Sequence, residues 1–230
     1  MRLDKFLANS GIGTRKEVKE IIKNRKIFVN DKIVMSSDLK IDETKDIIKY
    51  ENNVINYTKF RYIMLNKPKG YISATNDNKQ KTVLDLITDF KTYKLFPVGR
   101  LDIDTEGLLL LTNDGDLAHN LLSPKKHVEK KYYVELSQDI SSDDISNIEK
   151  GIDIGEGIIT RLSKIIKVDD NKLYIIITEG KFHQVKRMFK AVNNEVKYLK
   201  RISMGSLILD EKLNLGEYRE LTYEELRSLL

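Results

Sequence analysis

Residues 108–112, Leu-Leu-Leu-Leu-Thr, form an unbroken apolar and β-prone run. They follow directly on a polar stretch, bounded by Gly99 and Gly107, that carries Arg100, Asp102, Asp104 and Glu106. The run reads as a buried strand and the polar stretch as the loop it anchors. A buried strand holds its loop rigidly, and rigidly held loops are where catalytic groups tend to sit. On these grounds alone the loop's carboxylates are candidates for nucleophile or general base.

The rest of the composition narrows the chemistry. The chain has no Cys, which removes thiolate nucleophiles, disulfides and thiolate-bound zinc together. Only three His are present, His119, His127 and His183, too scattered to suggest a triad or a metal site, so no metal and no cofactor is expected. There is no Gly-rich phosphate loop ending in Lys-Ser/Thr, no His-Glu metal helix and no Gly-x-Ser-x-Gly elbow. The opening Met1-Arg2-Leu3-Asp4-Lys5 is charged and no signal-like apolar region follows it. The longest apolar run, 108–111, is far short of a membrane span. A soluble, cytoplasmic, monomeric protein is expected. Its net charge of +5 and pI near 9.0 suit nucleic acid if the excess is gathered into patches.

Such a patch lies near the start. Leu3, Phe6 and Leu7 recur at helical spacing until Gly11 and Gly13, which suit a helix end. Thr14-Arg15-Lys16-Glu17 has the capping-box arrangement, and Val18, Ile21 and Ile22 supply the apolar face of a second helix. Arg15, Lys16, Lys19 and Lys23 fall largely on its other side. Residues 27–29, a turn at Asn30-Asp31 and residues 32–34 read as a hairpin. Charge alone would be satisfied by a solvated helix face. Residues 36–58 are polar with one strand-like spot at Ile47-Ile48, and the clusters Glu51-Asn52-Asn53 and Asn56-Tyr57-Thr58 read as a linker. This predicts a small first domain with its linker over 1–58 and a second domain over 59–230.

The second domain reads as strands over 61–65, 108–112, 131–136, 162–168, 173–178 and 196–202, with a turn at 66–70 and a short helix or strand over 82–87. Helices are expected over 117–122, 141–150, 182–192 and 222–229, the last opened by a second capping box at Thr222-Tyr223-Glu224-Glu225. Strands dominate and their order with helices is irregular, so the class is α+β on a mostly antiparallel, mixed sheet.

Gly99-Arg100-Leu101-Asp102 resembles the GRLD signature of the pseudouridine synthases, and three further pieces match that family in order. These are Lys67-Pro68-Lys69-Gly70, Lys130-Lys131-Tyr132, and the stretch from Glu179 through Lys186 to Met188. The helix–helix–hairpin unit resembles the small alpha-L RNA-binding domain shared with a ribosomal protein. The resemblance covers nearly all of the chain and implies Asp102, Tyr132 and Lys186 as the catalytic residues. Asp104 lies beyond the motif and is set aside. Lys186 takes the place of the basic partner of the aspartate, rather than its neighbour Arg187, which the helix turns about 100° away. Ile177 takes the place of an apolar residue beneath the base, and Lys67 belongs to a turn that borders the site. Arg100, His183, Gln184 and Arg187 complete the implied substrate contacts, with His183 either on RNA or capping its helix. Arg2, Arg15, Lys16, Lys19 and Lys23 become the implied RNA contacts of the first domain.

These residue types suit the reaction. Turning uridine into pseudouridine breaks a carbon–nitrogen glycosidic bond and remakes it at carbon 5, with no redox change. A carboxylate can serve as nucleophile or stabilise an oxocarbenium-like centre, and a neighbouring ammonium favours its ionised form. An aromatic ring can stack on the base, and Arg100 can fill the space left when the base flips out. Within the family, the resemblance is to the RsuA-like enzymes acting on one uridine of small-subunit (16S-type) ribosomal RNA. The chain stops at Leu230 without the Lys/Arg-rich extension common in large-subunit members. A large-subunit (23S) substrate is the nearer alternative, and a non-catalytic ribosome-assembly factor the more distant one.

Overall fold

The computed structural model describes residues 1–55, 58–90 and 93–230, which fall into two compact units. The first comprises Met1–Arg61 with Thr88–Leu95, and the second Tyr62–Ile87 with Phe96–Leu230.

In the first unit, α1 (Leu3–Asn9) and α2 (Arg15–Lys23) precede β1 (Ile27–Val29), β2 (Lys32–Ile33), β3 (Ile48–Tyr50) and β4 (Asn53–Val54). The capping box forms as its sequence suggests: the Thr14 amide donates to Glu17 Oε2 at 2.7 Å, and the Glu17 amide donates to Thr14 Oγ1. Leu3, Phe6 and Leu7 meet Val18 and Ile22 in a core closed by Ile27 and Ile48 from the sheet. Arg15, Lys16, Lys19 and Lys23 are left exposed. Arg2 makes a bidentate pair with the buried Asp4, at 3.0 and 3.1 Å. Burial raises the Asp4 pKa, and the Arg2 bonds and charge outweigh it, so the carboxyl lies below its usual range.

One expectation is corrected here. Glu51-Asn52-Asn53 is not linker but the turn of a hairpin, in which Tyr50 pairs with Asn53 and Lys49 with Val54. Polar, turn-prone residues look alike in a linker and a tight turn; only the partner strand distinguishes them. Asn56 and Tyr57, read as linker, lie outside the described residues.

The second unit is built on one large sheet. Its strands are β5 (Tyr62–Lys67), β6 (Phe96–Pro97), β7 (Glu106–Thr112), β8 (Lys130–Leu136), β9 (Lys164–Asp169), β10 (Lys172–Ile177), β11 (Val196–Met204), β12 (Leu207–Ile208) and β13 (Tyr218–Glu220). The order is β13-β5-β7-β11-β8-β10-β9, with β6 added to β7 and β12 to β11. Every pairing is antiparallel except β7 with β11. The helices are α3 (Gly115–Leu122), α4 (Ser142–Glu149), α5 (Gln184–Ala191) and α6 (Tyr223–Leu229). Among the described residues no helix is long and apolar enough to cross a membrane.

All seven residues of β7 are buried, which is what its leucine run requires: the strand lies well inside the sheet. Leu108 and Leu110 pack with Met64, Leu117, Leu121 and Met204, and residues of α6 close the cluster. In β8 burial alternates, with Lys130, Tyr132, Val134 and Leu136 inward and Lys131, Tyr133 and Glu135 half-exposed. The turn expected at 66–70 begins later. Asn66 and Lys67 are the last two rungs of β5, opposite Leu108 and Gly107.

Candidate active site

Asp102 sits on the loop between Arg100 and Thr105, just before β7, and that loop is tied down by its backbone. The Leu101 amide donates to Ser73 Oγ at 2.9 Å, and the Gly70 amide donates to the Ile103 carbonyl at 2.8 Å. From beneath, Lys67 donates to the carbonyls of Pro68, Asp102, Ile103 and Thr105 at 2.8–3.4 Å. None of these ties uses the Asp102 carboxylate, so the loop is preorganised while its acid stays available.

Lys67 was expected among the substrate contacts, and the structure corrects that reading. The side chain is fully buried, and its ammonium draws together backbone carbonyls of the loop. Burial pushes its pKa down to about 8, against the pull of the Asp104, Asp102 and Glu106 charges. An unfolded chain keeps this proton up to the ordinary value of 10.5. Between those limits the unfolded state therefore binds more protons than the folded one, and stability rises with pH. The slope is at most about 1.4 kcal/mol per pH unit. Urea unfolding of wild type and Lys67→Met from about pH 8 to about pH 10 should show their stability difference growing with pH. A flat or falling difference would contradict this account of Lys67.

Opposite the loop, α5 brings its first turn to the acid. Lys186 Nζ lies 3.2 Å from Asp102 Oδ2 and 2.5 Å from Asp104 Oδ1, so one ammonium is shared by two carboxylates. Asp104 is therefore a partner in the site, although the sequence motif ends before it. Burial raises its pKa, and the Lys186 hydrogen bond and charge outweigh that effect, leaving it below the usual carboxylate range. Arg187 points elsewhere, donating to the carbonyls of Ile154, Phe182 and Gly155. Those backbone bonds give it a structural task in place of the expected substrate contact.

His183 stands at the N-cap of α5 with φ +48° and makes no side-chain cap bond. Its Nε2 is 3.5 Å from Asp102 Oδ1, and its ring stacks on Phe182 with centroids 3.8 Å apart. A non-glycine residue in the left-handed region stores strain that commonly marks a functional site. Gln184 is buried and braces the preceding turn, donating to Glu179 Oε1 at 3.0 Å and accepting from the Lys181 amide at 2.9 Å. Lys181 is itself ion-paired with Glu179.

Tyr132 and Ile177 are both buried and line a small pocket of about 70 Å³ against Asp102 and Lys186. Tyr133 turns to the other face of the sheet, against Tyr174 and Tyr198. The small pocket opens into a cavity of about 770 Å³, which shares Arg100, Asp102, Tyr132 and His183 with it. Small-molecule sites run to about 300–1,000 Å³, so the small pocket alone is too small for a nucleotide and the wide cavity supplies the room. Arg100 is exposed on the rim and makes no hydrogen bond or ion pair with the described residues. Lys130 and Arg201, which also line the wide cavity, were missed from the sequence. Lys130 carried a signal, being two residues from Tyr132 on the same strand face; Arg201 carried none. Among the described residues no cluster of three or more His, Asp or Glu could hold a metal ion.

Comparison with known proteins shows what the chain is similar to. Residues 61–191 match the family model for RNA pseudouridylate synthase, and residues 1–47 match the S4 domain. A Bacillus subtilis (strain 168) protein named "Uncharacterized RNA pseudouridine synthase YtzG" is 52% identical, over 100% of this chain and 98% of its own. "Ribosomal small subunit pseudouridine synthase A" of Escherichia coli (strain K12) is 39% identical over the full length of both. A solved structure titled "Crystal structure of pseudouridylate synthase" is similar over 100% of both chains, with a TM-score of 0.71 and 37% identity.

Proposed function

The chain belongs to the RNA pseudouridylate synthase family, an isomerase family, and on that premise we propose that it converts one uridine of small-subunit (16S-type) ribosomal RNA to pseudouridine. Asp102 is the nucleophile. The observation that carries this is the Asp102 carboxylate, presented by a loop pinned through its backbone and held 3.2 Å from Lys186.

The residues divide the work. The uridine flips out of its RNA and enters from the wide cavity, while Arg100, free on the rim, occupies the vacated stack. Tyr132 supports the base, a contact worth roughly 1–3 kcal/mol. Asp102 bonds covalently to the substrate as the C1′–N1 bond breaks. The uracil turns so that C5 bonds to C1′ while the bond to Asp102 breaks and returns its carboxylate; the C5 proton leaves and N1 takes up a proton, so the formula is unchanged. Lys186 balances the charge of the two carboxylates throughout. The exposed basic face of α2 takes phosphates of the surrounding RNA.

The choice of small-subunit RNA rests on the full-length relatives that carry that description. Mapping pseudouridine in both ribosomal RNAs of cells with and without this gene tests it. Loss of one 16S site is the expected result; loss of a 23S site with the small subunit unchanged would overturn the substrate and leave the reaction.

A further inference from the structure

Away from Asp102 the wide cavity has an unusual floor. Lys130 and Arg201 both face it and are more than nine-tenths buried, and neither has a carboxylate in ion-pair range among the described residues. Lys130 donates only to the Val128 carbonyl, at 2.8 Å. Arg201 donates from Nε to the Leu108 carbonyl at 2.7 Å, and its Nη2 is buried without any partner. The sheet register explains why they converge. Lys130 and Tyr132 alternate on one face of β8, and Arg201 of β11 lies directly across from Tyr132. Among the described residues the other acid that lines the cavity besides Asp102, Glu179, is already engaged by Lys181, Gln184 and the Arg161 amide.

Two buried cations of like sign repel each other and lose hydration, which folding does not tolerate cheaply without a counter-charge. Burial, and then the charge of Arg201, lower the pKa of Lys130. Both penalties are relieved by an anion bound between them, and a guanidinium with free N–H groups beside an ammonium is a strong phosphate receptor.

We propose that Lys130 and Arg201 form a subsite for a backbone phosphodiester of the RNA, adjoining the nucleotide whose base occupies the Asp102 pocket. This rests on the reading that the cleft receives a uridine within RNA, and it adds how the chain is held once that uridine is flipped. Flipping costs a few kcal/mol of stacking. A phosphate drawn onto buried cations offsets that cost, and it favours uridine within a chain over free uridine.

The test uses the full chain and two probes, uridylyl-uridine (UpU) and its uncharged methylphosphonate analogue, with affinities measured by competition against a labelled RNA. Wild type should prefer the charged dinucleotide by roughly tenfold, the worth of one charge-assisted phosphate contact. Lys130→Gln, one atom shorter and still polar but uncharged, should bind both probes nearly equally. Arg201→Gln should do the same, but Lys130→Gln decides the question even if the Arg201 variant does not fold. Equal binding of both probes by wild type, no measurable UpU binding, or an unchanged preference in Lys130→Gln would each overturn the subsite. The outcomes separate from the functional reading. Charge-selective UpU binding with no isomerised uridine would leave the subsite and remove the synthase assignment, and isomerisation without charge selectivity would do the reverse.

Discussion

Asp102→Asn should abolish isomerisation while leaving the fold and RNA binding in place. Asn preserves the volume and removes the charge and the nucleophile. Acid–base roles are worth roughly 10²–10⁴-fold, and loss of a covalent nucleophile costs still more, so turnover should fall at least about 10⁴-fold. The geometry explains why the loss should be confined to chemistry. The loop is held through backbone groups by Lys67, Ser73 and Gly70, not through the carboxylate. Lys186 also keeps its 2.5 Å partner Asp104 when Asp102 is neutral. Asp104→Asn is the matched control. Its side chain is 62% exposed, and pairs of that kind contribute little, so its effect on turnover should stay within about tenfold. Single-turnover assays on an RNA substrate, with binding measured in parallel, would check both. Asp102→Asn activity near that of Asp104→Asn would remove Asp102 from the nucleophile's role.

Gly107→Ala should be among the most destabilising single changes in the chain. Gly107 has φ +98°, a region L-residues rarely adopt, and a Cβ built there would lie 2.3 Å from the Arg201 carbonyl oxygen. That carbonyl belongs to the facing rung of the parallel β7–β11 pair, so backbone must move to admit the methyl group. Strained φ costs about 1–3 kcal/mol and overpacking a further 1–3, for a total of roughly 2–6 kcal/mol. Gly70→Ala separates the two contributions. Gly70 has φ +85°, and nothing lies within 4 Å of the place its methyl group would take, so it should show the backbone cost alone. Denaturant unfolding of the two variants measures the difference. Equal losses would mean that the close approach of β7 to β11 is not what requires glycine.

Much of this molecule is written in local pattern. The Thr14–Glu17 and Thr222–Glu225 capping boxes form where the sequence puts them, because a cap is satisfied within four residues. The buried leucine run of β7 and the alternation along β8 are equally local signals. Position between a Gly-bounded turn and that buried run marked the loop's carboxylates, and the Gly99-Arg100-Leu101-Asp102 resemblance then singled out Asp102. The short strands β4, β6, β12 and β13 were not anticipated. Such short strands have no period to read, and unlike β1 and β2 they were not marked out by a turn between two apolar runs.

Sequence therefore determined the α+β class and the family, since each rests on periodicity, capping or motif within a short stretch of chain, and it named the acid that the proposed reaction uses. Tertiary structure decided what several of the charged residues do. Lys67 looked like a turn residue near substrate and became the buried cation under the Asp102 loop; Asp104 looked incidental and shares Lys186. Arg187 turned to backbone carbonyls, and Arg201 joined Lys130 through pairing of strands that are distant in sequence. The physical reason is that a charged side chain takes its role from whichever partners and solvent surround it, and those come from elements distant along the chain.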